Sequence, residues 1–226
     1  AQVTNPELDC WHEFSTEVFR NWGPMVRLSA PAVIMIESEF IAFEFLSFLS
    51  VRFGTTALAA QSIASTIESF FFQIPFSVGV AASNRIAFHI GQGKVKSCET
   101  ATKCTLLYFG SALSFLNFAI LTLLRYPIFR LFTNDPGVVT SAVGILSIVG
   151  INQFWDVFNV LGAACLRAQG RQKIGGYLSI CAYYAIGMPL ACLLGVKLQL
   201  EVRGFWMGLG IGIFILAAGE LLCVYN

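Results

Sequence analysis

Long apolar segments alternate with short polar connections over almost the whole chain. Six predominantly apolar segments are each bounded by a few glycine, proline or charged residues. About 20 apolar residues in a helix, rising 1.5 Å per residue, cross the hydrocarbon core of a bilayer. The pattern therefore predicts an all-α membrane protein, a bundle of six transmembrane helices. The predicted spans are residues 26–53, 57–90, 98–124, 138–166, 174–196 and 204–225.

The segments outside the spans suggest how the chain is organised. Residues 1–24 are polar and amphipathic and predict a cytoplasmic lead-in, and residues 25–226 form the transmembrane lobe. The longest connection, residues 125–137, contains two prolines and is predicted to be a loop. The chain closes on an apolar run, residues 214–225, which suggests a fragment of a longer protein.

The distribution of basic residues predicts the orientation of the bundle. If the first residues are cytoplasmic, nine Lys and Arg residues lie on the inner side and five on the outer side. Because cytoplasmic connections are enriched in Lys and Arg, this count favours cytoplasmic ends for the lobe. The inner residues are Arg20, Arg27, Arg85, Lys94, Lys96, Lys103, Arg167, Arg171 and Lys173.

The composition excludes several other classes of protein. Of the 226 residues, 56% are hydrophobic and only 12% are charged. A soluble domain carries about 25% charged residues, and disordered chains are still more polar. The net charge of +1 provides no basic surface for nucleic acid.

Motif searches give no support for an enzyme. The chain contains no P-loop, no GxSxG or HExxH motif and no paired metal-ligand spacing. The seven cysteines are scattered and are interpreted as small apolar helix residues. Glycines at 208, 210 and 212 lie inside the last span, where they predict close helix packing. We therefore expect no catalytic residues, no metal and no cofactor beyond a coupling ion.

The positions of the acidic residues are the most informative feature. Every Lys and Arg lies near a span end or in a connection, whereas several acids lie within spans. An acid at the centre of a membrane helix costs about 2.5–3.5 kcal/mol on insertion scales. Without a basic neighbour, such a group is expected to be protonated or to bind a cation, which favours a proton-coupled cation carrier. These acids are Glu37, Glu39, Glu44, Glu68, Asp156 and Glu220.

Helical spacing separates the acids of the first span. Glu37 and Glu44 lie seven residues apart on one face, and Glu39 lies on another. In a straight helix the three therefore cannot all point at one cavity. Glu68 in the second span shares a face with Ser and Gln residues, whereas Glu220 is interpreted as a residue near a helix end.

Two further sets of side chains are candidates for a binding site. Asn152, Asp156 and Asn159 form one polar stripe along the fourth span. Tyr184 lies in a tyrosine-containing part of the fifth span, and aromatic faces near carboxylates suit organic cations. The alternative interpretation is that the polar stripes join helices and that the tyrosines serve packing.

Several stretches resemble one transporter family. Residues 31–44 (PAVIMIESEFIAFE) are similar to the seventh-span signature of eukaryotic multidrug and toxin extrusion (MATE) transporters. Residues 58–93 resemble their eighth span, residues 165–189 (CLRAQGRQKIGGYLSICAYYAIGMP) the turn and span that follow, and residues 202–209 the entry to the last span. The residues of these stretches look most like those of the fungal branch of the family.

The resemblance implies a fold and a function. Members have twelve spans in two lobes, and this chain looks like the second, C-terminal lobe, partnered by an N-terminal lobe of the same protein. It implies an antiporter that extrudes organic cations or other toxic compounds against protons, by alternating access, with Na⁺ as the alternative coupling ion. The two glutamates of the seventh-span signature fall on Glu39 and Glu44, and the acid of the tenth span on Asp156.

Other functions and the location complete the expectations. A lipid-linked precursor flippase of related architecture is one alternative, but its pyrophosphate cargo should need Arg or Lys in the cavity. A structural or assembly subunit without transport is another. The expected location is the plasma membrane or the vacuolar membrane. The residues expected to bind substrate or protons are Glu39, Asp156, Glu44, Glu68, Asn152, Asn159 and Tyr184.

Overall fold

A computed structural model describes residues 22–225, together with Thr16 and Arg20. All regular elements within this part are helical, which confirms the predicted all-α class. Most of the predicted lead-in lies outside the described residues. The helices are α1 (Trp22–Ser50), α2 (Thr55–Gly91), α3 (Val95–Leu123), α4 (Arg125–Arg130), α5 (Pro136–Ala168), α6 (Gln172–Lys197) and α7 (Glu201–Tyr225), with a 3₁₀ turn at Val51–Phe53.

The six long helices match the six predicted spans to within four residues at each end. Five of them, α2, α3, α5, α6 and α7, are long and apolar enough to cross a membrane. Helix α1 has 29 residues and differs from these five in carrying three glutamates within its length. Hydropathy therefore located all six helices, and the acids that distinguish α1 are the candidate site residues.

The predicted loop at residues 125–137 is partly wrong, because it contains the short helix α4. The side chain of Phe129 is fully buried in the apolar cluster around α5, which anchors this helix. Pro127 lies in the first turn, where no intrahelical N–H bond is lost. Asp135 then caps α5, since its Oδ1 accepts a hydrogen bond from the Gly137 amide at 2.8 Å.

Helix α5 forms the centre of the bundle. It packs against α2, α3 and α7, while α6 packs against α1 and α7. Apolar clusters surround both halves of α5, with Val149 in one and Val157 in the other. The polar residues Asn152, Gln153 and Asp156 occupy the stretch between them, so the fold places polar side chains midway along its most enclosed helix.

Helices α6 and α7 pack through backbone atoms. A Cβ at Gly208 would meet the backbone of Ala191, and a Cβ at Gly212 would lie 2.8 Å from the carbonyl oxygen of Ala182. These contacts confirm the predicted role of the glycines in close packing. Helix α6 contains π-helical stretches at Cys181–Gly187 and Leu193–Lys197, which a regular helical period does not predict.

Candidate functional site

Three acids from three helices meet near the middle of the bundle. Carboxylate oxygens of Glu39 (α1), Glu68 (α2) and Asp156 (α5) all lie within 4.8 Å of one another. Asp156 is 1% exposed and Glu68 is 8% exposed, and Glu39 is partly buried. The sequence identified each acid separately, and the fold brings them together. We call these three residues the carboxylate cluster.

Side-chain amides orient the carboxylate cluster. Gln153 Nε2 donates hydrogen bonds to Glu68 Oε1 and to Asp156 Oδ2, both at 3.3 Å. Asn159 Nδ2 donates to Asp156 Oδ1 at 3.1 Å. Asn117 Nδ2 donates to Gln153 Oε1 at 3.1 Å and so fixes which end of the Gln153 amide faces the acids. The orienting roles of Gln153 and Asn117 were missed, although Gln153 borders the predicted polar stripe.

The carboxylate cluster has no basic partner within residues 22–225. None of its three members forms an ion pair with Lys or Arg there. Three negative charges at this separation repel one another, and the repulsion is relieved when protons or a cation bind. The three oxygen donors could hold a metal cation, and hard oxygen ligands of this kind suit Na⁺. The arrangement therefore provides a place where mobile positive charge is bound.

A cavity of about 100 Å³ opens beside the carboxylate cluster between α1 and α2. Its acidic lining is Glu39, Glu44 and Glu68. The prediction that the acids of α1 separate is thus wrong for Glu39 and Glu44, because the cavity follows α1 over more than one turn. Glu37 is exposed and does not line this cavity, although helical spacing placed it on the same face as Glu44.

Phenylalanines form the aromatic part of this cavity. Phe40, Phe43 and Phe72 line it, and the rings of Phe40 and Phe72 meet edge to face with centroids 6.4 Å apart. Aromatic faces attract cations through the ring quadrupole. Tyr184 was the predicted aromatic residue, and the phenylalanines were missed, although Phe40 and Phe43 lie within the family signature.

Asn152 and Tyr184 make contacts between helices. Asn152 Nδ2 donates a hydrogen bond to the carbonyl oxygen of Trp206 at 2.7 Å, which joins α5 to α7. Tyr184 Oη donates to the carbonyl oxygen of Ser38 at 3.2 Å, which joins α6 to α1. The structure thus places both residues as the alternative interpretation expects, and their binding roles stay predictions.

A second, smaller cavity of about 30 Å³ lies on the other side of Glu39. Its lining includes Asn159, Tyr183, Arg167 and Glu220 in addition to Glu39. Glu220 is 0% exposed, so the interpretation as an ordinary helix-end residue is incomplete: it lies near the end of α7 but faces the interior. Arg167 was predicted to begin the loop after the fourth span, but it lies in the last turn of α5 and its side chain reaches this cavity.

Comparisons with known proteins agree with this fold. The MatE family profile matches residues 31–193. An uncharacterized transporter of Schizosaccharomyces pombe is 38% identical over 213 residues, which are 94% of this chain and 39% of the relative. Human multidrug and toxin extrusion protein 1 is 28% identical over 200 residues, 88% of this chain and 35% of the relative. The crystal structure of the eukaryotic MATE transporter AtDTX14 aligns with a TM-score of 0.89 at 29% identity, covering 94% of this chain and 48% of that one.

These matches extend over most of the chain but less than half of each relative. The matched structure and the five apolar helices show an integral, multi-pass membrane protein. The family profile covers well over half of the sequence and includes Glu39, Glu68 and Asp156. The resemblance found in the sequence is therefore confirmed, and the chain belongs to the MatE family.

Proposed function

We propose that this chain forms one lobe of a secondary transporter that exchanges organic cations for protons. The observation that carries the proposal is the carboxylate cluster: three acids from three helices of a membrane bundle, with oxygens within 4.8 Å of one another. The described residues give the cluster no Lys or Arg ion pair. Relatives named multidrug and toxin extrusion proteins support the same class of function.

The carboxylate cluster would bind the proton and the cation cargo alternately. In the deprotonated state its negative charges attract an organic cation, and in the protonated state they are neutral and the cation leaves. Because the two ligands compete for the same oxygens, movement of one is linked to movement of the other. An N-terminal lobe of the full protein would close the second side of the pathway and allow alternating access.

The cavity between α1 and α2 favours an organic cation as the cargo. Phe40, Phe43 and Phe72 provide apolar and aromatic contact, and Glu44 adds a negative charge at the rim. A pyrophosphate-bearing lipid would instead need basic side chains, and the lining of this cavity contains none. The lining therefore favours cation export over the flippase alternative. Release of the cation to the outside or into an acidic vacuole is consistent with the expected location in the plasma membrane or the vacuolar membrane.

Sodium is a second candidate for the coupling ion. The three carboxylates provide hard oxygen ligands close enough to surround one small cation. A sodium gradient would then replace the proton gradient as the driving force, with the same competition at the carboxylate cluster. The two candidates differ in which gradient drives uptake.

The test uses the full-length protein containing this chain, reconstituted in proteoliposomes with a fluorescent organic cation. An imposed pH gradient should drive uptake, and Glu39→Gln and Asp156→Asn should reduce it to the level of protein-free liposomes. Glu37→Gln is the matched control, because Glu37 is exposed and lies outside the cavity. It should retain transport within about twofold.

Two outcomes would decide the proposal, and one control accompanies them. Unchanged uptake in Glu39→Gln and Asp156→Asn would remove the carboxylate mechanism. Uptake that requires a sodium gradient and ignores the pH gradient would replace the proton by Na⁺. Retained binding of the fluorescent cation by the folded wild type, measured in detergent, shows that the preparation is competent.

A further inference from the structure

Glu220 is a buried acid that the carboxylate cluster does not include. It lies on α7 with no exposed surface, and neither carboxylate oxygen has a hydrogen-bond partner among the described residues. Burying a polar group without a partner costs free energy, because the group loses its hydrogen bonds to water. An apolar side chain would pack better at this position. The carboxyl group of Glu220 is therefore expected to have a function other than packing.

The small cavity joins Glu220 to the carboxylate cluster. Its volume of about 30 Å³ is lined by both Glu39 and Glu220. A buried water needs roughly 10–15 Å³ and two or more polar partners. Tyr183, whose side chain is fully buried, lines the same space, as does Asn159. The cavity therefore has the size and polarity to hold water between the two acids.

The titratable groups around Glu220 come from three packed helices. Asp156, Cys165 and Arg167 face it from α5, Tyr183 from α6 and Glu39 from α1. Arg167 is the cation of this set and ends α5. The sequence predicts that this end of the bundle is cytoplasmic. Glu220 thus lies between the carboxylate cluster and a positively charged cytoplasmic end.

We propose that Glu220 is a further proton-binding residue that relays protons from Glu39 toward the cytoplasmic end of the lobe. The protonated carboxyl group of Glu39 gives its proton to a water in the small cavity, and that water gives one of its protons to the Glu220 carboxylate. Glu39 becomes a carboxylate, Glu220 a carboxylic acid, and the water is regenerated. The inference rests on the proposed proton coupling and holds for any cationic cargo.

Glu220→Gln in the full-length protein tests the relay, with Glu37→Gln as the matched control. Two rates are measured in proteoliposomes: uptake of the fluorescent cation driven by a pH gradient, and exchange of cation for cation at equal pH, which needs no net proton transfer. Glu220→Gln should slow driven uptake by at least about tenfold. Its cation exchange should stay within about twofold of wild type, because the carboxylate cluster is intact.

Each result separates this inference from the proposed function. Equal driven rates in Glu220→Gln and Glu37→Gln would overturn the relay and leave proton coupling standing. A wild type that a pH gradient does not drive would overturn proton coupling itself. Equal losses of driven uptake and cation exchange in a folded Glu220→Gln would also overturn the relay, since a relay affects only the proton step.

A second variant covers the case in which Glu220→Gln does not fold. Arg167→Gln keeps the Glu220 carboxyl group but removes its positive neighbour. The Glu220 proton should then leave less readily, so the pH at which driven uptake is half-maximal should move upward. A profile that coincides with wild type would overturn the relay.

Discussion

Two regions of the lobe bring helices together by opposite means. In the carboxylate cluster, charged and amide side chains from α1, α2, α3 and α5 meet across hydrogen bonds longer than 3 Å. Where α6 meets α7, glycines let the two backbones approach directly. The first region concentrates like charge and costs stability, whereas the second supplies the van der Waals packing that holds helices together in lipid. The acidic side chains and the closest backbone packing thus lie at different helix contacts.

The difference also explains which changes each region tolerates. The carboxylate cluster borders two cavities, so an isosteric amide fits there and removes only the ability to ionise. The α6–α7 contact has no such space: a Cβ at Gly204 would meet the backbone around Gly195. A single methyl group is therefore expected to damage this contact more than the loss of a charge damages the cluster.

Gly208→Ala should disrupt the contact between α6 and α7 and give the largest effect on stability. Its methyl group would meet the Ala191 backbone, which cannot rotate away. Overpacking of this kind costs about 1–3 kcal/mol. Gly91→Ala is the matched control, because a Cβ there meets nothing within 4 Å. Thermal unfolding followed by fluorescence-detected size exclusion should show a lower Tm for Gly208→Ala alone, and equal Tm values would contradict the prediction.

Gln153→Leu should disrupt the hydrogen bonds around the carboxylate cluster. Leucine has a similar size but removes the N–H donors that face Glu68 and Asp156. Hydrogen bonds to charged groups contribute about 1.5–3 kcal/mol, so cation affinity should fall roughly tenfold or more. Binding of the fluorescent cation to the purified full-length protein provides the measurement.

Asn117→Leu is the control for this change. It removes the partner that orients Gln153 but touches none of the acids. Its effect on cation affinity should be smaller than that of Gln153→Leu. Equal affinities in Gln153→Leu and wild type would show that the amide does not orient the carboxylates.

The sequence predicted the helices well because a single physical property determines them. Long apolar runs must cross the bilayer, so hydropathy alone placed both ends of α2 and α5 within a few residues. Helix α4 was missed because its stability comes from burying Phe129, a tertiary contact, rather than from a local pattern. Local periodicity also could not reveal the π-helical stretches of α6.

The residues of the candidate site were predicted from the sequence, but the distances between them were not. Acids in an apolar segment are visible in a sequence, and Glu39, Glu68 and Asp156 were found on that ground. Their distances depend on how three helices pack, which the spacing within one helix does not contain. The same limit explains the choice of Tyr184 over Tyr183, since adjacent residues differ by about 100° around the helix and only the fold shows which one faces the acids.

Tyr184→Phe should have the smallest effect on stability and on transport. The hydroxyl of Tyr184 donates one hydrogen bond to the Ser38 carbonyl, a contact between α6 and α1. Its loss should cost about 0.5–1.5 kcal/mol of stability and leave driven uptake within about twofold of wild type. Tyr183→Phe makes the same chemical change one residue earlier, where the hydroxyl lines the cavity between Glu39 and Glu220.

The Tyr183 and Tyr184 variants therefore separate packing from proton movement at neighbouring positions. Tyr183→Phe should slow pH-driven uptake and leave cation exchange intact, because it removes a polar partner for water in the relay cavity. Tyr184→Phe should change neither rate but should lower the Tm slightly. A loss of cation binding in Tyr184→Phe as large as the loss in Gln153→Leu would contradict the prediction. That result would show that the contact between α6 and α1 belongs to the binding site.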